Sequence, residues 1–248
     1  EVKTSCRVIA LDTKGKQVEL ENGEKMAYNK LIIATGARSN VPPFKGVEQQ
    51  GVYTLRNFQD GRALKKAIQS AKKAVVIGGG ILGLEAVWEM ISQGVEVSVV
   101  EHNQRLMPRQ LDEAASLRLQ KLMTDRGVKL YLGFSTEEII GGGQVSGVKL
   151  NDGKLLEADL VLLSTGVKPN VELAQSAGIN VDRGIVVDTG MRTSVSDVYA
   201  AGDVAQVGDR LIGLWSVSTD MGNVAGANAA GDWLDYKEPV ILTMLVAF

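Results

Sequence analysis

The stretch AVVIGGGILGLE, residues 74–85, sets a glycine-rich turn between a run of apolar residues and a segment with helical character. Its first, third and sixth turn positions are glycines, the GxGxxG spacing of a strand–loop–helix that holds a pyrophosphate. The first glycine permits a tight turn, the second lets the backbone approach phosphate, and the third lets the helix pack on the strand. We therefore predict phosphate contacts at Gly78, Gly80, Ile81, Leu82 and Gly83.

The next predicted strand, Val95–Val100, is followed by Glu101, close to the spacing of about 20 residues at which an acid meets the adenosine ribose. A carboxylate accepts a hydrogen bond from a free ribose 2′-hydroxyl and repels a 2′-phosphate. This position predicts NADH over NADPH. Three side chains, His102, Arg105 and Arg109, could partly offset that repulsion. His102 either contacts the adenosine end or is a solvated loop residue.

Helical and strand patterns alternate around this loop. Predicted helices cover Asp60–Lys73, Ile81–Gln93 and Leu111–Arg126, and strands cover Ala74–Ile77 and Val128–Tyr131. This order is the βαβαβ half of a doubly wound sheet, so the predicted fold class is α/β with Rossmann-like modules.

An internal repeat predicts a second module. Residues 22–40, NGEKMAYNKLIIATGARSN, align without a gap to residues 152–170, DGKLLEADLVLLSTGVKPN, sharing a turn glycine, a buried strand, Thr-Gly and a final Asn. The second copy has its phosphate loop upstream, whereas too few residues precede Thr35 to hold one. We therefore expect two copies of one dinucleotide-binding module, with the phosphate loop of the first copy before Glu1 and residues 1–248 forming a fragment.

Composition excludes several classes of protein. The 248 residues are 45% hydrophobic with a formal net charge of −2, which disfavours nucleic acid and anionic membrane surfaces as partners. No apolar run approaches the roughly 20 residues of a membrane helix. One cysteine, Cys6, leaves no disulfide framework and no metal cluster and is typical of a reducing cytoplasm. We interpret Cys6 as packing within a strand, Cys6–Leu11, and the apolar Val240–Phe248 as another strand.

Four segments together resemble the pyridine nucleotide-disulfide oxidoreductase superfamily: Leu31–Arg38, Gly78–Glu85, Ser164–Asn170 and Val198–Asp203. The most similar branch comprises FAD-dependent NADH:acceptor reductases such as rubredoxin and ferredoxin reductases, NADH oxidase and the flavin domain of nitrite reductase. The resemblance implies an NAD domain inserted in a split FAD domain. The implied domains are 1–71 (partial FAD domain, first segment), 72–178 (NAD domain), 179–236 (FAD domain, second segment) and 237–248 (start of a C-terminal interface domain).

The resemblance also implies roles for individual residues. Glu85, expected on the first turn of the helix after the glycine loop, corresponds to an acid near the nicotinamide and flavin, although a charge stabilised by the helix dipole is an equal alternative. Asp203, after Gly202, corresponds to the acid that binds the flavin ribityl chain, or it caps a helix. A helix predicted over Val217–Trp233 would direct its N-terminus at the flavin. The remaining implied contacts are Thr165, Gly166 and Val167 for the nicotinamide, and Thr35, Gly36, Ala37, Arg38, Trp215, Ser216 and Val217 for FAD.

The implied activity passes hydride from NADH to FAD and then electrons to an acceptor: a small redox protein, a nitrite reductase centre, oxygen or a disulfide. Two alternatives stay open, namely a non-catalytic NAD-binding module and a thiol-dependent coenzyme A disulfide reductase or peroxidase whose cysteine lies upstream. The sequence leaves the acceptor, a homodimeric state and the retention of FAD by residues 1–248 undecided.

Overall fold

A computed structural model describes all residues, 1–248, and divides into two compact units. Unit 1 comprises Glu1–Arg38 and Lys168–Ile241, and unit 2 comprises Ser39–Val167 and Leu242–Phe248. The strands are β1 (Val8–Asp12), β2 (Gln17–Leu20), β3 (Lys25–Ala27), β4 (Leu31–Ile33), β5 (Ala37–Ser39), β6 (Val52–Thr54), β7 (Lys73–Ile77), β8 (Glu96–Glu101), β9 (Lys129–Leu132), β10 (Thr136–Gly141), β11 (Val145–Leu150), β12 (Leu155–Glu157), β13 (Leu160–Leu163), β14 (Val167–Pro169), β15 (Ile185–Val187), β16 (Val198–Ala200) and β17 (Ala205–Val207). The helices are α1 (Phe58–Ile68), α2 (Ile81–Ser92), α3 (Glu113–Thr124), α4 (Glu172–Ser176) and α5 (Trp215–Ala230).

Unit 2 is built on a parallel five-stranded sheet with the order β6-β13-β7-β8-β9. Strand β7 shows why these residues form a central strand, since Ala74 and Val76 lie in one apolar cluster while Val75 and Ile77 lie in another. The first cluster includes residues of α1, α2 and α3, and the second includes residues of the antiparallel sheet β10-β11-β12. A strand buried on both faces needs a continuous apolar run, which is what residues 74–77 supply.

Unit 1 contains the antiparallel hairpin sheet β1-β2-β3 and two parallel pairs, β4 with β16 and β15 with β17. The hairpin turn follows Asp12, whose carboxylate accepts the N–H groups of Lys14 and Gly15. The apolar core of unit 1 includes Ile33, Tyr199 and Met221. No helix of either unit is long and apolar enough to cross a membrane.

The predicted α/β fold with two modules is confirmed. The domain boundaries at 71 and 178 stay a prediction, and the compact units have different limits. The compact units change at 38/39 and at 167/168. Strand β6 pairs in parallel with β13, and α1 buries Leu64 and Ile68 in the core of unit 2. Conversely, α4 falls within the predicted NAD domain but buries Ala174 in the core of unit 1. Contacts between residues distant in sequence therefore set the boundaries.

Three local predictions need correction. Cys6 is exposed and lies before β1, which begins at Val8, so it does not pack within a strand. The segment 240–248 forms no strand, because Leu245 and Phe248 pack against the apolar cluster of unit 2 without pairing. Helix α5 begins at Trp215, two residues before the predicted start, and ends at Ala230. There Gly231 takes the left-handed conformation that ends many helices.

One ion cluster in unit 1 links the β1–β2 turn to the start of β4. Asp197 accepts hydrogen bonds from the ammonium groups of Lys16 and Lys30, which lower the pKa of its carboxyl to about 2. Its backbone carbonyl accepts the Leu31 N–H at 2.9 Å. Asp197 has a φ of 65°, a conformation that Asn and Asp tolerate better than other side chains.

Asp197→Asn should lower the Tm near neutral pH, and this difference should shrink as the pH falls. A carboxyl whose pKa is lowered by folding stabilises the folded state above its unfolded pKa, roughly 3.9, and loses that contribution as the pH approaches the folded value. Thermal unfolding of both proteins between neutral pH and the onset of acid denaturation measures the effect. The matched change Asp209→Asn, at an exposed position of unit 1, should shift the Tm less. A Tm difference that grows on acidification contradicts this assignment.

Candidate nucleotide-binding sites

In unit 2 the glycine loop joins β7 to α2. Gly78 has a φ of 113°, and a Cβ there would collide with the Ser164 carbonyl oxygen. A Cβ on Gly83 would lie 2.6 Å from the Gly78 carbonyl oxygen. Gly80 differs from both, since a Cβ there would meet no atom within 4 Å. The open side of Gly80 is therefore the side from which a ligand can approach the backbone.

The N-terminus of α2 is free to bind an anion. Gly80 is its N-cap and provides no side-chain hydrogen bond, and the first helical hydrogen bond runs from Leu84 N–H to the Gly80 carbonyl at 3.0 Å. The N–H groups of Ile81, Leu82 and Gly83 thus lack intrahelical acceptors. No acidic residue lies in the first turn to offset the positive end of the helix dipole. Together with the space beside Gly80, this end of the helix fits a pyrophosphate.

Glu101 is the buried carboxylate of this site, with 6% of its surface exposed. Its Oε2 accepts the Gly79 N–H at 2.7 Å, and its Oε1 accepts the backbone and side-chain N–H groups of Asn103 at 2.9 and 2.6 Å. The His102 Nδ1 lies 3.0 Å from the same Oε1, although the imidazole is 74% exposed. Glu101 is therefore the last residue of β8 and also accepts a hydrogen bond from the backbone of the glycine loop.

The GxGxxG pattern does not indicate Gly79, which lies between its first two glycines. A Cβ on Gly79 would lie 2.7 Å from Leu106 Cδ2, and its carbonyl accepts the Met107 N–H at 3.1 Å. The segment after β8 therefore packs against Gly79. The GxGxxG pattern leaves this position variable, so only the apolar Leu106-Met107 pair after Glu101 could have indicated it.

The other predicted residues of unit 2 lie in different surroundings. Glu85 is in the second turn of α2, not the first, and its Oε1 accepts the Val246 N–H at 3.4 Å. Arg109 is exposed, and Arg105 donates from its guanidinium to the Pro108 carbonyl at 3.2 Å. The correction for Glu85 follows from the helix beginning at Ile81, which places Glu85 at its fifth residue.

The second Thr-Gly turn follows β13. Thr165 Oγ1 donates to the Asn40 carbonyl at 2.8 Å, and Asn40 N–H donates to the Gly166 carbonyl at 2.9 Å. Gly166 has a φ of 89°, and no atom lies within 4 Å of the position a Cβ would take. Val167 is also exposed. This turn therefore offers an open stretch of backbone, as a ligand contact requires.

In unit 1 the first Thr-Gly turn follows β4. Thr35 Oγ1 donates to the Asn170 carbonyl at 2.7 Å, and Gly36 has a φ of 64°. Arg38 donates to Asn170 Oδ1 and to Glu172 Oε1, both at 2.6 Å, and its hydrogen bond lowers the pKa of the Glu172 carboxyl. The guanidinium is thus held by partners within unit 1, and Ala37 begins β5.

Two further elements of unit 1 carry predicted flavin contacts. Gly202, with a φ of 80°, and Asp203 form a short 3-10 turn, where Asp203 Oδ1 accepts the Ser218 hydroxyl at 3.0 Å. Helix α5 starts at Trp215 without a side-chain cap and without an acidic residue in its first turn. Its free N–H groups belong to the three residues predicted from the resemblance, Trp215, Ser216 and Val217.

The sequence profile of the pyridine nucleotide-disulphide oxidoreductase family matches residues 1–222. The chain belongs to this family. It is 38% identical over 228 residues to the assimilatory nitrate reductase electron transfer subunit of Bacillus subtilis, covering 92% of this chain and 30% of the relative. It is 36% identical over 244 residues to the NADH oxidase of Methanocaldococcus jannaschii, covering 93% of this chain and 54% of the relative.

A solved structure supports the same assignment. The crystal structure of a ferredoxin reductase for the CYP199A2 system from Rhodopseudomonas palustris superimposes with a TM-score of 0.90 at 32% identity, covering 94% of this chain and 59% of that one. This member of the pyridine nucleotide-disulphide oxidoreductase family therefore spans between about a third and three fifths of the proteins it resembles. The predicted family and its Rossmann-type fold are confirmed.

Proposed function

We propose that this chain forms the nucleotide-binding part of an FAD-dependent NADH:acceptor oxidoreductase. The observation that supports it best is the uncapped N-terminus of α2 behind the open face of Gly80, with buried Glu101 beside the same loop. When bound, NADH would supply a hydride and FAD would accept it before the electrons leave to an acceptor.

On the NAD side, the residues of unit 2 bind and orient the dinucleotide. The N–H groups at the start of α2 hold the pyrophosphate, and Glu101 accepts a hydrogen bond from the adenosine ribose. The open Thr165–Gly166 turn and Val167 border the nicotinamide end. Glu85 lies one turn into α2. This set is complete within residues 73–167.

On the flavin side, residues of unit 1 fit part of FAD. The uncapped start of α5 favours negative charge on the group it faces, and Asp203 with Gly202 suits a hydroxylated chain. Thr35–Gly36 provides a second open turn. Residues 1–248 contain one strand–glycine loop–helix, in unit 2, so we propose that these residues alone hold FAD more weakly than NAD.

The proposed acceptor is a small redox protein. This proposal is supported by similarity to a protein named as an electron transfer subunit and to a ferredoxin reductase. We also propose a homodimer and a cytoplasmic location. The net charge of −2 and the single cysteine favour a cytoplasmic protein without a nucleic-acid or membrane partner.

Anaerobic titration with NADH tests the proposal. The purified protein, with any sequence that flanks residues 1–248, should carry flavin, and NADH should bleach the flavin absorbance. NADPH should do so with a weaker apparent affinity. Tight NADH binding with no bleaching would instead show a nucleotide-binding module without turnover. Turnover with a disulfide acceptor that is lost after thiol alkylation, while NADH still bleaches the flavin, would favour the thiol-dependent reductases.

Asp203→Ala should lower the ratio of flavin to protein while leaving the Kd for NADH nearly unchanged, because Asp203 belongs to unit 1. The loss of one hydrogen bond to a charged group, about 1.5 to 3 kcal/mol, corresponds to roughly a 10- to 150-fold weaker flavin affinity. Absorbance of the purified variant measures the ratio. Asp209→Ala, in the same unit, serves as the control. Equal loss of both ligands would indicate a folding defect.

A further inference from the structure

The two Thr-Gly turns are each held by an asparagine that does not belong to the same copy of the repeat. We call the set Thr165, Gly166 and Asn40 the unit 2 clasp, and the set Thr35, Gly36 and Asn170 the unit 1 clasp. In the sequence, Asn40 ends the copy that contains Thr35, and Asn170 ends the copy that contains Thr165. In the structure these partners are exchanged.

The unit 2 clasp consists of three hydrogen bonds. Thr165 Oγ1 donates to the Asn40 carbonyl at 2.8 Å, Asn40 N–H donates to the Gly166 carbonyl at 2.9 Å, and Asn40 Nδ2 donates to the Thr165 carbonyl at 3.3 Å. Two of them need only the backbone of residue 40. The third needs the side-chain amide, so it is the one that selects asparagine.

The unit 1 clasp repeats the same three hydrogen bonds. Thr35 Oγ1 donates to the Asn170 carbonyl at 2.7 Å, Asn170 N–H donates to the Gly36 carbonyl at 2.9 Å, and Asn170 Nδ2 donates to the Thr35 carbonyl at 2.8 Å. Arg38 adds a bond to Asn170 Oδ1 at 2.6 Å, which fixes the orientation of this amide. The same chemistry therefore occurs twice, once in each unit.

The side-chain amide determines where one backbone N–H points. In a trans peptide the carbonyl of one residue and the N–H of the next point in opposite directions. Binding of the Thr165 carbonyl by Asn40 therefore turns the Gly166 N–H away from Asn40, and Asn170 does the same for Gly36. Both glycines have positive φ, and neither has an atom within 4 Å of its Cβ position. The turns are thus held from one side and open on the other.

We infer that Asn40 is a positioning residue for NADH and Asn170 is a positioning residue for FAD, the reverse of what their repeat copies indicate. The inference rests on the proposed function, because it needs NADH at the Thr165–Gly166 turn and FAD at the Thr35–Gly36 turn. Each asparagine acts through the turn it holds. The unit boundaries at 38/39 and 167/168 fall between each Thr-Gly and the asparagine that follows it, in agreement with the exchange.

Crossed substitutions test the inference in the protein with any sequence that flanks residues 1–248. Asn40→Ala should raise the Kd for NADH about 3- to 10-fold, the effect of one neutral hydrogen bond, with the flavin-to-protein ratio unchanged. Asn170→Ala should lower the flavin ratio and leave the Kd for NADH unchanged. The flavin-to-protein ratio is measured by absorbance. The Kd is then measured by nicotinamide fluorescence after the flavin has been reduced with dithionite, so that NADH binds without being oxidised.

Matched controls separate positioning from stability. Asn151 and Asn22 accept N–H groups in exposed turns of units 2 and 1, and their alanine variants should change neither readout. Asn40→Asp keeps the shape but loses the donor, so it should weaken NADH binding as Asn40→Ala does. Loss of flavin rather than NADH affinity in Asn40→Ala, or parallel loss of both ligands, overturns the inference. An unsubstituted protein that does not bind NADH overturns the proposed function as well.

Discussion

Gly80→Ala is expected to fold as well as the unsubstituted protein and to bind NADH about 100-fold more weakly or worse. No atom lies within 4 Å of the position that a Cβ on Gly80 would take, and its φ of −87° suits any residue, so folding should tolerate the methyl group. That methyl group would occupy the approach to the α2 N-terminus. Loss of two charge-assisted hydrogen bonds to phosphate, each about 1.5 kcal/mol or more, gives this factor.

Gly142→Ala is the matched control for this experiment. Gly142 also lies in unit 2 and also has no atom within 4 Å of its Cβ position, but it is in the β10–β11 turn. Both variants should therefore have similar Tm values, and only Gly80→Ala should lose NADH affinity in fluorescence titrations. Equal NADH affinity of the two variants would show that the pyrophosphate does not approach Gly80.

Substitution of Glu101 should have the second large effect. Two variants separate the two roles of its carboxylate, which are repulsion of a 2′-phosphate and binding of the glycine loop. Glu101→Gln removes the charge that repels a 2′-phosphate and keeps one oxygen for the Gly79 N–H, which lies 2.7 Å from the carboxylate. Its amide NH2 replaces the oxygen that accepts from Asn103. The preference for NADH over NADPH should therefore fall roughly 10-fold or more, the effect of one hydrogen bond to a charged group. Titration with both nucleotides gives the ratio of their Kd values.

Glu101→Ala is expected to differ from Glu101→Gln. It leaves the Gly79 N–H without its buried acceptor, which costs about 1 to 3 kcal/mol and loosens the loop. Affinity for NADH and NADPH should both fall, and the Tm should fall with them. Asn103→Ala, which removes the side-chain donor to Oε1 and keeps the backbone donor, should keep the preference for NADH. An unchanged Kd ratio in Glu101→Gln would mean that Glu101 does not select the cofactor.

The phosphate loop and its acid could be predicted because their chemistry is local. Gly78, Gly80 and Gly83 lie within six residues, and a turn of this kind fixes its own geometry. The hairpin after Asp12 is similar, since its carboxylate caps N–H groups two and three residues away. Both features depend on neighbours in sequence, so both are visible without the fold.

The unit boundaries could not be predicted, because they depend on distant partners. Strand β6 joins unit 2 through the pairing of Val52 with Val161, more than a hundred residues later, and a strand of three residues does not specify such a partner. The exchanged roles of Asn40 and Asn170 have the same origin. The repeat shows that an asparagine recurs at the same position of both copies but not which turn each one holds.

The positions of the chain ends within each unit have a consequence for protein engineering. The main chain of Asn40 meets that of Gly166 at 2.9 Å, so the continuous stretch 39–167 begins and ends at one place. Likewise, Asn170 meets Gly36 at 2.9 Å, so removal of that stretch leaves two nearby ends in unit 1. A domain with this geometry can be exchanged between relatives as a cassette, with a short linker across the gap. A cassette cut at 72 and 178 would leave β6, α1 and Asn40 behind and carry away α4, whereas one cut at 38/39 and 167/168 carries its own clasp.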